Sequence, residues 1–207
     1  MKKGIKVMTG TKMEAILGDT KAAGVKTDQG ELKADLVVMS LGIRPNTAFL
    51  KDTGLEFMSN GTIPVDGKLR TNLENIYAAG DCACVMNLQT GKRAWSPMGS
   101  SANMEGRTFA RALFGQDVLY DGVLGTAVVK LPDLNGGKTG LSETAAKAEG
   151  YEVVSNVCVV DDKAHYYPGS SSFFIKNEAA THTRKLLGGH VSGSGSVDNV
   201  PVCAGAY

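Results

Sequence analysis

Two places in the chain combine residue types able to do chemistry. The first is Thr71–Arg107, where the apolar run Ile76-Tyr77-Ala78-Ala79 stops at Gly80-Asp81, a loop follows, and a helix is expected from about Gly99. A buried strand ending in Gly-Asp presents one carboxylate at the carboxyl edge of a sheet, where open α/β sheets bind ligands. Asp81 is thereby placed to accept hydrogen bonds from a hydroxyl-rich ligand. Ser100 and Ser101 offer N-cap oxygens, and unpaired amides in the first turn can face an electron-rich ligand atom. The second place is His165-Tyr166-Tyr167, where the turn at Pro168-Gly169 should project at least one aromatic ring from a strand end. Taken alone, a Gly-Asp after a strand is more often a turn than a cofactor site, and strand-end aromatics more often pack than react.

The thiols point elsewhere. Cys82-Ala83-Cys84 lacks the two-residue spacing of a dithiol centre, and Cys82, Cys84, Cys158 and Cys203 form neither a zinc pattern nor a dense disulfide framework. They are read as reduced, with Cys82, Cys84 and Cys158 buried. The 207 residues carry 22 basic and 21 acidic side chains and are 43% hydrophobic, which fits a globular protein and gives no electrostatic case for nucleic acid or an anionic membrane. No apolar run reaches membrane-spanning length, so a cytoplasmic location is expected.

These groups need elements to position them. Residues 4–40 read as antiparallel strands: Ile5 and Val7 alternate with polar neighbours, Met13–Ile16 follows, and Val25–Thr27 joins Glu31–Lys33 through a Gly-bearing turn. Asp35–Ser40 is a continuous apolar run suited to a buried strand. Thr47–Thr53 suggests a short helix closed by Gly54, and Asn60-Gly61 turns into Thr62–Asp66. The helix from Gly99 places Ala102, Gly106, Phe109, Ala110 and Leu113 on one face, with Gly115 as its C′ residue. Strands are then expected at Thr126–Leu131, Lys138–Leu141, Tyr151–Val160, Ser172–Lys176 and Lys185–Ser192, with a helix from Glu143 to Glu149 capped by Ser142.

With those residues in view, TNLENIYAAGD resembles the second flavin-binding motif of the FAD-dependent pyridine nucleotide-disulfide oxidoreductases. WSPMGSSANMEGR resembles the subgroup of NADH oxidases, NADH peroxidases and coenzyme A-disulfide reductases. Ala34, Asp35, Val37, Val38, Gly42, Arg44, Pro45 and Asn46 match the family's crossing from the nicotinamide domain into the flavin domain. Lys138–Glu143, His165–Gly169 and Lys185–Gly189 match pieces of its dimerisation domain.

The resemblance implies an α/β plus α+β architecture, a partial FAD/NAD(P)-binding Rossmann-like domain followed by an α+β dimerisation domain. Residues 1–45 would be the end of the NAD(P)-binding domain, 46–116 the end of the FAD-binding domain, and 117–207 a dimerisation domain truncated at its end. Gly80 and Asp81 would contact FAD, with Asp81 at the ribityl and pyrophosphate portion. The Ser101-Ala102-Asn103 backbone would lie beside the flavin ring, and Gly42 would be approached by NAD(P)H. Tyr166 or Tyr167 would hydrogen-bond or protonate a leaving thiolate in the partner subunit of a homodimer, with His165 ordering the pair at the substrate. Trp95 and Met98 would pack beside the cofactor or serve as core, and Lys92 and Arg93 would meet substrate phosphates.

The activity implied is NAD(P)H-dependent reduction of a coenzyme A-like disulfide, oxygen or peroxide through FAD. The glycine-rich first flavin fingerprint and the redox cysteine of the family are not found in this sequence, and residues after Val197-Asp198 depart from the family's end. The chain is therefore expected to be a carboxyl-terminal portion, inactive by itself. The competing class is a non-enzymatic dimerisation or cofactor-contacting module.

Overall fold

The computed structural model of the chain describes residues 4–193. Val197-Asp198, Cys203 and the rest of the departing tail lie outside the described residues. The chain divides into two compact units, Met1–Ile43 and Arg44–Tyr207.

In the first unit, β1 (Met13–Leu17), β2 (Gly24–Thr27) and β3 (Gly30–Lys33) form an antiparallel meander. The β2–β3 turn is held by Thr27, whose Oγ1 donates to the Gly30 carbonyl at 2.7 Å and accepts from the Gln29 amide at 3.2 Å. Two expected strands do not form. Residues around Ile5 and Val7 form no strand among the described residues, and Asp35–Ser40 stays out of the sheet with Leu36 79% and Val38 80% exposed. A wholly apolar strand is stable only between neighbours that cover both faces, and no described strand flanks this run.

The second unit begins with one 3-10 turn at Ala48–Leu50 where a longer helix was expected. Then come β4 (Ile63–Pro64), β5 (Ala83–Met86) and β6 (Arg93–Ala94), in the order β4-β5-β6. β5 is the central strand, and Ala83, Cys84 and Val85 are all buried. Ile63, Val65, Leu69, Ala78, Tyr120 and Val123 complete this core. The expected buried strand at Ile76–Ala79 is replaced by a tight return: the Thr71 amide donates to the Ile76 carbonyl, the Ala78 amide donates to the Leu69 carbonyl, and Tyr77 makes only an isolated bridge to Arg70. Because the run pairs back on its own neighbours, Ile76 and Tyr77 remain partly open to solvent.

Helix α1 (Gly99–Leu113) ends as expected, with Gly115 at φ +78° and its amide bonded to the Ala112 carbonyl at 3.1 Å. Its inner face differs from the expected one. Ser101 and Glu105 are buried beside the half-buried Ala102, Gly106 and Phe109, while Ala110 and Leu113 are exposed.

The remaining elements are β7 (Ala127–Lys130), β8 (Asn135–Gly140), α2 (Glu143–Ala148), β9 (Val153–Asp161), β10 (Ser172–Ala180) and β11 (Leu186–Gly193). Their strands make an antiparallel sheet in the order β7-β8-β11-β10-β9. Ser142 caps α2 by accepting from the Ala145 amide at 3.2 Å. Ala146 of α2 packs with Leu187 and Ala180. Gly188 permits close approach: a Cβ there would lie 1.8 Å from the Leu141 carbonyl oxygen. Buried Gln89 ties the small sheet to the large one, donating from Nε2 to the Leu187 carbonyl and accepting at its own carbonyl from the Tyr151 hydroxyl at 3.3 Å. Cys158, expected to be buried, is exposed, because β9 is an outer strand with little packed on it. No described helix is long and apolar enough to cross a membrane.

Glu143 joins α2 to the sheet. It accepts from Lys147 at 2.7 Å, from Lys176 at 2.8 Å and from Ser155 at 3.0 Å. The Lys147 bond, then the Lys176 and Ser155 bonds, bring its pKa from 4.5 down to about 2. A carboxylate with a depressed folded-state pKa contributes stability that is complete above the unfolded value and disappears as pH falls through the folded one. Glu143→Gln should therefore lower the urea midpoint at pH 7, and the deficit should shrink from about pH 4.5 towards pH 2. An equal deficit at pH 7 and pH 2 in urea titrations would contradict this role for its charge.

Candidate functional site

Asp81 sits in a single 3-10 turn, Gly80–Cys82, immediately before β5, rather than at the end of a strand. Gly80 has φ +78°, a region that side-chain-bearing residues rarely adopt. The turn lies against α1 where the helix is small, since a Cβ on Gly80 would meet the Ala102 Cβ at 3.5 Å. Two side chains hold its backbone. The Gly80 amide donates to Glu105 Oε2 at 2.6 Å, and Trp95 Nε1 donates to the Asp81 carbonyl at 2.8 Å. The Asp81 carboxylate itself is exposed and makes no hydrogen bond or ion pair among the described residues.

The start of α1 supplies donors beside this acceptor. Met98 is the N-cap, extended at φ −126° and ψ 135°, and gives no side-chain cap. Ser100 and Ser101 do not cap the helix as expected, because Ser101 Oγ is engaged with Ser96 Oγ at 2.8 Å and with the buried Tyr120. The Ala102 amide donates to the Met98 carbonyl at 3.0 Å, which leaves the amides of Gly99, Ser100 and Ser101 without a protein acceptor among the described residues. The aligned peptide dipoles of a 15-residue helix favour electron-rich groups there. Ala102 is half-buried and Asn103 exposed.

Charge inside the site is sparse. Burial pushes the Glu105 carboxyl above its ordinary pKa, the Gly80 amide opposes that, and the Asp81 charge adds to it. Burial likewise raises Tyr120, helped by Glu105 and opposed by the bond to Ser101. A cavity of about 330 Å³ opens beside the helix start, lined in part by Ser96, Ser100, Ser101, Met104 and Tyr120. A larger one of about 640 Å³, around Asp66, Arg70, Asn72 and Tyr77, includes Arg93 but none of the residues expected at the flavin.

The structure thus brings Gly80, Asp81, Ser101 and Ala102 together, with Asn103 on the next helical position. Trp95 contributes a hydrogen bond to this group, whereas Met98 is 36% exposed. Gly42 belongs to the first unit, with φ +89° and nothing within 4 Å of a Cβ position. His165, Tyr166 and Tyr167 lie on the exposed β9–β10 connection, sharing no hydrogen bond with the helix start. Their rings pack on one another, His165 against Tyr166 at 5.6 Å and Tyr166 against Tyr167 at 5.1 Å. Lys92 and Arg93 are engaged elsewhere: Lys92 pairs with Glu149 at 2.6 Å, and Arg93 donates to the Val65 and Cys84 carbonyls. Cys84 is buried and Cys82 half-buried, its Sγ 3.5 Å from the Ala79 carbonyl. Glu105 is the residue that sequence reasoning missed. Its signal was a lone acid flanked by Ala102, Gly106 and Phe109 on the small-residue side of the helix.

A family model for pyridine nucleotide-disulphide oxidoreductases matches residues 1–102, and one for the dimerisation domain of the same family matches residues 126–206. A Pyrococcus furiosus NAD(P)H sulfur oxidoreductase (CoA-dependent) is 40% identical over 84% of this chain and 39% of its own length. A Methanocaldococcus jannaschii NADH oxidase is 35% identical over the same shares, 84% and 39%. The structure of an NAD-dependent persulfide reductase from A. fulgidus superposes with a TM-score of 0.92 and 33% identity, covering 99% of this chain and 38% of that one. The chain spans about two fifths of the length of the curated relatives it matches. With two models of one family matching successive parts of the chain, the chain belongs to the pyridine nucleotide-disulphide oxidoreductase family.

Proposed function

We propose that this chain supplies the flavin-contacting turn and helix of an FAD-dependent NAD(P)H oxidoreductase. Its acceptor is a sulfur compound of the coenzyme A disulfide or persulfide kind, with oxygen as the alternative. The observation that carries the flavin assignment is the pairing of an unengaged carboxylate, Asp81, with three unengaged amides at Gly99, Ser100 and Ser101. Such a set complements a ligand that has hydroxyls to donate and an electron-rich ring edge to accept, and the glycine step at Gly80 lets the turn pack close to the helix. When bound, FAD carries electrons from NAD(P)H to the acceptor. Asp81 holds ribityl hydroxyls, the Ser101–Asn103 backbone borders the ring, and Gly42 offers a backbone free of side-chain obstruction to the nicotinamide cofactor. The relatives, a CoA-dependent sulfur oxidoreductase, a persulfide reductase and an NADH oxidase, favour the sulfur acceptor and keep oxygen in view.

A second copy of the chain is the proposed partner, docking on the five-stranded sheet formed by β7 to β11. The outer strand β9 exposes Val157 and Val159 on one face, and Phe174 of β10, paired with Val159, is exposed beside them. Apolar surface of this kind marks an association face. Tyr166 and Tyr167, 74% and 55% exposed at the connection between these two strands, are free to reach an acceptor held by the partner, with His165 beside them.

Asp81→Ala removes the acceptor for the ribityl hydroxyls. A hydrogen bond to a charged group contributes about 1.5–3 kcal/mol, so FAD affinity should fall by about one to two decades in a fluorescence titration. An unchanged dissociation constant would remove Asp81 from the flavin site. Tyr166→Phe and Tyr167→Phe, made separately in a protein that spans the length of its relatives, should leave the dimer mass unchanged while at least one lowers turnover with coenzyme A disulfide. Full turnover in both would show that neither hydroxyl takes part.

A further inference from the structure

Glu105 is a costly residue at its position. It is 2% exposed, and among the described residues no lysine, arginine or histidine pairs with it. An apolar side chain on that face of α1 would avoid the desolvation of a carboxylate. What the carboxylate does instead is specific: Oε2 accepts the Gly80 amide at 2.6 Å, across 25 positions of chain. Gly80 has the most permissive backbone in the turn, at φ +78°; its carbonyl accepts from the Ala83 amide, and Glu105 is the side chain that holds its N–H. One turn earlier on the same face, Ser101 bonds to Ser96 and Tyr120. The Ser101–Glu105 stripe therefore pins the helix start to the loop before it and to the turn that carries Asp81. Trp95 closes the other side of Asp81 through its carbonyl.

We propose that Glu105 is a positioning residue for the flavin site, a latch that fixes the Gly80–Asp81 backbone against α1 so that the Asp81 carboxylate and the Gly99–Ser101 amides face one ligand together. This rests on the flavin reading above. The latch works through reach, since the Gly80 N–H needs an oxygen at that point in space whether or not it carries charge. An effect of the Glu105 charge on the ligand would be the opposite case, and two conservative variants separate the two. Glu105→Gln keeps an oxygen at the same distance from the helix and loses the charge. Glu105→Asp keeps the charge and is one carbon too short to reach Gly80.

Two measurements on the full chain decide it: amide hydrogen exchange at Gly80 without ligand, and the dissociation constant for FAD. The loss of one hydrogen bond to a charged group predicts that Glu105→Asp speeds Gly80 exchange and weakens FAD by about tenfold or more, whereas Glu105→Gln stays within about threefold of the parent in both. Exchange at Leu187 and Val191, in the five-stranded sheet, should be the same in all three proteins, which separates local release from general unfolding. The proposal is overturned if Glu105→Asp leaves Gly80 exchange unchanged, if it speeds exchange with no loss of FAD affinity, or if Glu105→Gln loses as much affinity as Glu105→Asp. Absence of FAD binding by the parent chain would sink the flavin assignment, while Gly80 exchange would still decide whether the latch exists.

Discussion

One hydrogen bond, from the Gly80 amide to the buried Glu105 carboxylate, governs the geometry of the site. A carboxylate taken out of water loses solvation worth several kcal/mol even after the protein relaxes, and one amide donor returns only about 1.5–3 kcal/mol. The direction of the Glu105 pKa, pushed up mainly by burial, is the signature of that imbalance. The packing around it is close: a Cβ on Gly80 would already meet the Ala102 Cβ at 3.5 Å, and the tilted Tyr77 and Phe109 rings lie 4.9 Å apart. The result is a turn whose backbone is held by Glu105 and Trp95 and whose one carboxylate, Asp81, is exposed. A binding group held this way loses little further freedom when a ligand arrives.

The rest of the second unit keeps that arrangement rigid. Tyr120 and Val123, which follow α1, complete the core under β5, so the small sheet depends on residues that lead into the large one. Gln89, buried between them, donates to the Leu187 carbonyl on β11 and accepts from Tyr151. The five-stranded sheet is well paired internally but leaves much apolar surface on β9 and β10 open, the opposite of the closely covered β5. One half of the unit is thus organised around a polar site and the other around a face suited to association.

Local signals were legible in sequence where the deciding interactions are local. The turn between β2 and β3, the Ser142 cap of α2, the Gly115 end of α1 and the strands of the large sheet all follow from neighbouring residues. The Gly-Asp pair and the small-residue helix start were legible too, and the structure sets them against each other. What failed depended on distant partners. Asp35–Ser40 has the composition of a buried strand and no described strand to lie between. Ile76–Ala79 has the composition of a strand and pairs instead with Leu69–Thr71, which places Asp81 on a 3-10 turn. Glu105 went unmarked in the sequence because its partner is 25 positions away. Cys158 looked buried because its neighbours are apolar, although its strand lies at a sheet edge.

The central claim is that the Gly80–Cys82 turn and the start of α1 form one flavin-binding surface. The most direct measurement is a two-dimensional amide NMR titration of the isotopically labelled chain with FAD. The account predicts that the amides of Gly80, Asp81 and Cys82 and those of Gly99 to Asn103 shift together along a single binding curve, while Leu187 and Val191 stay in place. Shifts confined to other parts of the chain, or separate binding curves for the turn and the helix start, would contradict it.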